Sequence, residues 1–355
     1  MPEPIYPKMV SMTVTSRCNL RCVMCYHAIT KVKKEDFEDA YLDKLKPNFE
    51  HASTIDLTGL GEPLFSKQFW KIIDLFKVDD ESPDEDFKVV FNCNGTLFDD
   101  ENVDGLLKSG IRKIRVSIDS ADARTFEAIR DVPLKTVVAG ARRLIHERNA
   151  RRRKYPLVGV QMTLMKSTVG GLIDMVDLCK DIGADFVEVW SLNELPESEA
   201  ADWNVRLFNY NDQLLSNLDR AVLDERMEAF HAYAHERRLP AMSMVLGQSR
   251  WGEGFPGDDW GQSSGVEWTE SSIRCELPWQ VQRVHYGGEI YACCWGTSPI
   301  GHLADQSSQD VWNGETMTTM RSDLLQGRIP KQCSGAGCPY VLGKTSEAAA
   351  RSADV

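Results

Sequence analysis

The segment MVSMTVTSRCNLRCVMCY, residues 9–26, joins a short apolar run to a loop that holds Cys18, Cys22 and Cys25. Apart from Ser11, residues 9–15 are apolar or β-branched, and the run stops at Ser16-Arg17, which reads as a strand entering a polar loop. The cysteines then follow as C-x3-C-x2-C. With ten cysteines in 355 residues, that spacing arises by chance with a frequency of about 0.008. A buried thiol packs as a small apolar side chain, but three of them in one polar loop call for another reason. Zinc normally closes its site with four ligands, often as two C-x2-C pairs. Here only His27 stands nearby as a fourth, and it is too close in sequence to fit easily. Three thiolates with an open position suit a four-iron cluster with one unprotected iron.

Working outward, short apolar runs at 9–15, 54–58, 88–92, 113–118, 158–164 and 186–190 read as strands. Segments of helical period lie between them at 69–76, 102–107, 136–148 and 172–182. Six strands with intervening helices imply βαβ units and a parallel sheet. Periodicity leaves an open doubly wound sheet and a partial barrel both standing. In either, functional groups collect beyond the carboxyl ends of the strands. The cysteines follow the first strand, Gly59-Leu60-Gly61-Glu62-Pro63 the second, and Asn94-Gly95 the third.

In that order these motifs resemble the radical S-adenosylmethionine (radical SAM) superfamily. The resemblance runs from about residue 8 to about residue 340 and is carried chiefly by the C-x3-C-x2-C loop. It implies an α/β fold, a partial (β/α)6 TIM-like barrel followed by a small cysteine-rich auxiliary-cluster domain. It also implies a [4Fe-4S] cluster on Cys18, Cys22 and Cys25 that binds S-adenosyl-L-methionine. Gly61, Glu62 and Pro63 match the Gly-rich motif that receives the methionine amino group, and Asn94 matches a common third-strand ending. Val116-Ser117-Ile118-Asp119-Ser120, followed by 125–130, resembles the fourth-strand signature of members with C-terminal auxiliary clusters. By that match Ser117 and Arg130 reach the ribose and carboxylate of SAM. One departure is Met24, which stands where the family often has an aromatic residue beside the adenine; Tyr26 follows two positions on.

Five further cysteines lie between Cys275 and Cys338. A hairpin expected to turn at Gly287-Gly288, with the spacing G-x4-C to Cys293, resembles the SPASM/Twitch extension. The cysteine count fits its shorter, one-cluster Twitch form better than the full version. The resemblance assigns a second, auxiliary [4Fe-4S] cluster to Cys275, Cys293, Cys333 and Cys338. Adjacent strand residues face opposite ways, so only one of Cys293 and Cys294 ligates easily. Four cysteines are also a structural zinc set. Cys93, expected to face away from the rim, Cys179, His285 and His302 read as packing residues. The expected organisation is a barrel with its following helix over 1–245, a linker over 246–273, the auxiliary module over 274–342 and a disordered tail over 343–355.

The net charge of −12 argues against nucleic-acid binding, which needs clustered Lys and Arg. The one basic run, 142–154, reads as the solvated end of a helix. No run has the length of a membrane span and no signal segment opens the chain, so a cytoplasmic protein is expected. Ten cysteines there imply metal ligation rather than disulfides. Partners implied are a small-molecule or peptide substrate and an external one-electron donor such as flavodoxin or ferredoxin. With the first cluster at residue 18 no leader-peptide domain fits ahead of the barrel, which favours a small sugar- or aminocyclitol-like substrate. A fully ligated auxiliary cluster favours net oxidation, whereas a free Cys294 would suit an epimerase. Gln161, Thr163, Glu188 and Trp190 could line the substrate pocket. The contrasting class is a zinc-stapled protein with no catalysis.

Overall fold

The computed structural model describes residues 5–29, 33–75, 89–193, 204–205, 208–246, 248–256, 265–269, 271–293, 296 and 298–333. Cys294, Cys338 and the tail at 343–355 lie outside these residues. Its strands, in chain order, are β1 (Met9–Met12), β2 (Thr54–Asp56), β3 (Val89–Cys93), β4 (Ile111–Ser117), β5 (Leu157–Leu164) and β6 (Phe186–Ser191). They alternate with the helices α1 (Tyr26–Ile29), α2 (Leu42–His51), α3 (Lys67–Asp74), α4 (Asp100–Lys108), α5 (Ala123–Arg130), α6 (Leu134–Ala150) and α7 (Leu172–Ile182). That alternation, with parallel pairing, is the α/β, partial-barrel class expected from the sequence. No helix among the described residues is long and apolar enough to cross a membrane.

The chain forms two compact units. One comprises Thr15–Lys34 and Thr58–Gly257. Within it β3, β4, β5, β6 and a strand at Ala241–Val245 pair in parallel, and Gln248–Trp251 adds an antiparallel edge. That last strand occupies positions the sequence reading gave to a linker. The helices are locally specified: Ser66, Asp99 and Asp122 cap α3, α4 and α5 through side-chain oxygens that accept backbone N–H bonds. In α3, Phe69, Ile72 and Ile73 are buried, a spacing that puts one apolar stripe inward. Helix α7 stops at Gly183, whose φ of 82° suits a residue without Cβ.

The other unit comprises Met1–Val14, Glu35–Leu57 and Asp258–Val355. Here β1 pairs in parallel with β2 and with Val281–Val284, and Glu289–Tyr291 and Gly301–His302 extend the sheet antiparallel. The expected hairpin is present. His285 N–H donates to Glu289 O at 2.9 Å, and Gly288 turns the chain at φ 95°. Two helices, Ser308–Asn313 and Glu315–Leu325, follow the hairpin and are not among the segments of helical period read from the sequence. The first is set by a capping box between Ser307 and Asp310. Helix α2 was not read from sequence because Pro47 sits inside it, where proline normally signals a break.

The basic run also differs from expectation. Arg148 is buried, donates to the carbonyl of Pro156 at 2.9 Å and forks onto the Asp185 carboxylate. It is a structural pin of α6, and only its neighbours are solvated.

Candidate functional site

The loop after β1 is built by its own backbone bonds. Leu20 N–H donates to Cys18 Sγ at 3.4 Å, Cys25 N–H to Cys22 O at 3.0 Å, and Ala28 N–H to Cys25 O at 2.8 Å, which starts α1. Val23 N–H donates to Ile129 O at 2.9 Å and ties the loop to the end of α5. Val23 and Ile129 share an apolar group with Met165, Leu192 and Tyr210, against which Met24 packs.

The three thiols line one cavity of about 440 Å³, with Gly61, Glu62, Asn94, Ser117 and Arg130. Pro63 is not among the lining residues. It is buried at the first position of the 3-10 turn Pro63–Phe65, where its fixed φ suits the turn. Asn92, Gln161, Thr163, Trp190, Asn193 and Tyr210 also line the cavity, as does Cys93, which alternation had turned away from this rim.

Asn94 holds the cysteine loop to β3. Its Nδ2 donates to Asn19 Oδ1 at 2.8 Å, while its Oδ1 accepts from Thr96 N–H and Oγ1 at 3.0 and 2.7 Å. Gly61 is pressed against the same loop: a Cβ there would lie 2.3 Å from Thr15 O and 2.6 Å from Arg17 O. Backbone cannot swing aside, so Gly61→Ala should cost about 1–3 kcal/mol and displace the loop. Denaturant unfolding should show that loss and reconstitution a lower iron content; a variant equal to wild type in both would contradict this packing.

Glu62 is fully buried, accepting from Asn94 N–H at 2.7 Å and from Leu64 N–H at 3.4 Å. Burial pushes its carboxyl up from 4.5 to about 7, against the pull of those two bonds. The folded chain therefore holds this proton where the unfolded chain has lost it. Stability from this group is complete below 4.5 and lost as pH rises through about 7. Glu62→Gln should flatten the fall in stability of the metal-free protein between about pH 5 and about pH 8. Identical pH slopes in denaturant titrations of the two proteins would refute it.

Arg130 is placed by Asp119, with Nε to Oδ2 at 2.6 Å and Nη2 to Oδ1 at 3.1 Å; Thr163 N–H also donates to Oδ1 at 2.9 Å. Arg130 Nη1 then faces Cys22 Sγ at 3.8 Å. Ser117 ends β4 at the cavity edge. Burial raises the thiol of Cys22 to about 11, partly offset by Arg130, and raises those of Cys18 and Cys25. Thiolates at this site need a compensating positive charge, which bound metal supplies.

Among the described residues no three His, Cys, Asp or Glu side chains converge on a point that one ion would occupy. A four-iron cluster has a different requirement, since each thiolate binds a different iron. Three thiols spread over one cavity wall, with a cation and hydrogen-bonding groups on the rest, fit that requirement.

Glu188 does share a face with Trp190, whose Nε1 donates to Glu188 Oε2 at 3.2 Å. Its carboxylate is buried and doubly paired, to Arg115 Nε at 2.9 Å and Lys113 Nζ at 3.3 Å, so it is structural rather than an open acid or base. Arg115, Lys113, Asp119, Asn19 and Tyr210 were not singled out from sequence. The signal for the charged strand residues was their i, i+2 spacing: Lys113, Arg115 and Ser117 alternate on β4 as Glu188 and Trp190 do on β6.

Of the other cysteines, Cys179 is buried within α7, as expected of a packing residue. Cys275, Cys293 and Cys333 all belong to the unit with the hairpin. Cys293 is buried, and Cys333 packs against Ala292, Trp312, Met317 and Met320. His285 packs against Tyr291 with ring centres 4.4 Å apart and planes tilted by 37°, and His302 Nδ1 accepts from Ala304 N–H, both ordinary packing roles.

Comparison with known proteins agrees with this arrangement. Residues 12–179 match the family model of the radical SAM superfamily. The chain carries a radical SAM domain over those residues. Residues 275–339 match the SPASM iron-sulfur cluster-binding domain, so this radical SAM protein carries the C-terminal module as well. The AdoMet-dependent heme synthase of Methanosarcina barkeri is 27% identical over 203 residues, 55% of this chain and 54% of that protein. The tungsten-containing aldehyde ferredoxin oxidoreductase cofactor-modifying protein of Pyrococcus furiosus is 26% identical over the same shares. The chain thus spans about half the length of the relatives it matches. In fold it is similar to Streptococcus suis SuiB bound to S-adenosylmethionine, with a TM-score of 0.62 and 16% identity, covering 89% of this chain and 68% of SuiB.

Proposed function

We propose that Cys18, Cys22 and Cys25 hold a [4Fe-4S] cluster, and that the cavity beside them takes SAM and the reacting part of a small, polar substrate. When bound there, the reduced cluster and SAM supply a 5′-deoxyadenosyl radical that removes a hydrogen atom from the substrate. Arg130, fixed by Asp119, receives the carboxylate of SAM, and Ser117 its ribose. Gly61 and Glu62 receive the amino group, and Asn94 keeps the cysteine loop in register.

The neutral hydrogen-bonding wall carries the substrate assignment. Asn92, Gln161, Thr163 and Asn193 supply donors and acceptors, Trp190 supplies a flat apolar face, and among the described residues the only charged ones lining the cavity are Glu62 and Arg130. Such a wall suits hydroxyl and amine groups, as on a sugar or aminocyclitol. The names of the two relatives, haem synthesis and cofactor modification, point to small molecules as well. Net oxidation follows from the electron count. An alcohol carbon that loses a hydrogen atom, then a hydroxyl proton and one electron, becomes a carbonyl. Cys275, Cys293, Cys333 and Cys338 would hold a single auxiliary cluster able to accept that electron, and a flavodoxin- or ferredoxin-type donor would supply the initiating one.

Deuterated sugars, aminocyclitols and peptides offered to the reduced enzyme with SAM test this directly. Deuterium in 5′-deoxyadenosine from a small polyol, with a product two electrons more oxidised, is the expected result. Transfer from peptides alone would place the chain among maturases. Transfer from a polyol with no change in its oxidation level would make it an epimerase.

A further inference from the structure

Among the described residues, Trp312 and Arg321 in the C-terminal module each bury an N–H donor that has no acceptor, as Ser308 buries an unpaired hydroxyl. Trp312 is 0% exposed and Arg321 is 7% exposed. The Trp312 indole Nε1 and the Arg321 Nη2 both lack a hydrogen-bond partner. Buried N–H groups are almost always paired, and a buried guanidinium more so. The two side chains form one unit, with the guanidinium carbon 4.7 Å from the centre of the Trp312 ring.

Three of the cysteine-bearing segments reach this pair. Arg321 Nε donates to Pro278 O at 2.9 Å, three residues beyond Cys275. Trp312 packs with Ala292, the residue before Cys293, and Cys333 lies against the same group. Burial lowers Arg321 to about 10, which leaves it cationic at neutral pH. A purely apolar filler would occupy this space without orphaned donors.

We infer that the Trp312 indole N–H and the Arg321 guanidinium are hydrogen-bond donors to the sulfurs of the auxiliary cluster, and that together they raise its reduction potential. This rests on the assignment of that cluster to Cys275, Cys293, Cys333 and Cys338. Reduction adds negative charge to the sulfurs, so N–H donors and a fixed cation favour the reduced form. A raised potential makes the module a better acceptor for the electron released when substrate is oxidised.

The full chain carrying Cys18, Cys22 and Cys25→Ala isolates the auxiliary cluster for an EPR-monitored redox titration. In that background W312F and R321Q should keep the same iron content and take a more negative potential. A reduced-to-oxidised ratio lowered about tenfold at fixed poise corresponds to 59 mV for a one-electron couple. R321K, which keeps the charge, should shift less than R321Q. The parent should also show an exchangeable-proton coupling by ENDOR that W312F lacks. Unchanged potentials and an unchanged coupling in iron-loaded variants would overturn the inference. If the variants lose iron, indole-15N-labelled parent decides: a nitrogen coupling to the cluster upholds the contact and its absence defeats it. Zinc, or no iron, in the parent would defeat the auxiliary-cluster assignment itself.

Discussion

Alanine at Cys18, Cys22 and Cys25 together should halve the iron of the anaerobically reconstituted protein, from about eight atoms to about four, and abolish SAM cleavage. The three thiols line one cavity, and burial raises the pKa of each. Without iron they are neutral and inert, and without them the open iron that would chelate SAM has no holder. The remaining iron belongs to the other unit, where Cys275, Cys293 and Cys333 are untouched by the substitutions. Iron, sulfide and zinc analysis of both proteins checks the halving. Full iron in the variant would remove the cluster from this loop, and zinc in place of the residual iron would make the C-terminal module structural.

Asp119→Ala should destabilise the metal-free protein by about 3–5 kcal/mol, the range for breaking a buried ion pair from one side. Asp119 is 0% exposed and accepts three bonds, two from Arg130 and one from Thr163 N–H. Its loss strands a buried guanidinium and a strand N–H, and frees Arg130 from the position facing Cys22. SAM affinity should fall by about 10- to 100-fold, as when a supporting residue behind a ligand is removed. Asp119→Asn keeps acceptor capacity but not charge, and should fall between. Urea unfolding of the apo protein and SAM titration of the reconstituted one measure the two effects. A variant as stable and as tightly binding as wild type would mean that Arg130 is held by other contacts.

What was legible in the sequence was local. The C-x3-C-x2-C spacing, the strand alternation and the turn at Gly287-Gly288 each lie within one short segment, and their order along the chain implied the α/β fold. What was missed depends on distant partners. Arg148 looked like one of a solvated charge run until Asp185, 37 residues away, was found beside it. Asp119 gained meaning from Arg130 and Thr163, and Glu188 from Lys113 and Arg115 on a different strand. Helix α2 was hidden by Pro47. Helix Glu315–Leu325, with four buried residues among Thr, Ser and Asp, offers too weak an apolar stripe to be read. Pro63, read as a site residue from its motif, serves the turn instead of the cavity.

The central claim is that this chain starts radical chemistry at the Cys18–Cys25 loop. Reduced, iron-loaded protein incubated with SAM under anaerobic conditions tests it most directly, with 5′-deoxyadenosine and methionine read by chromatography. Wild type should give both products in equal amounts, and the Cys18, Cys22 and Cys25→Ala protein neither. Iron-loaded wild type that binds SAM, is fully reduced and yields no 5′-deoxyadenosine would contradict it.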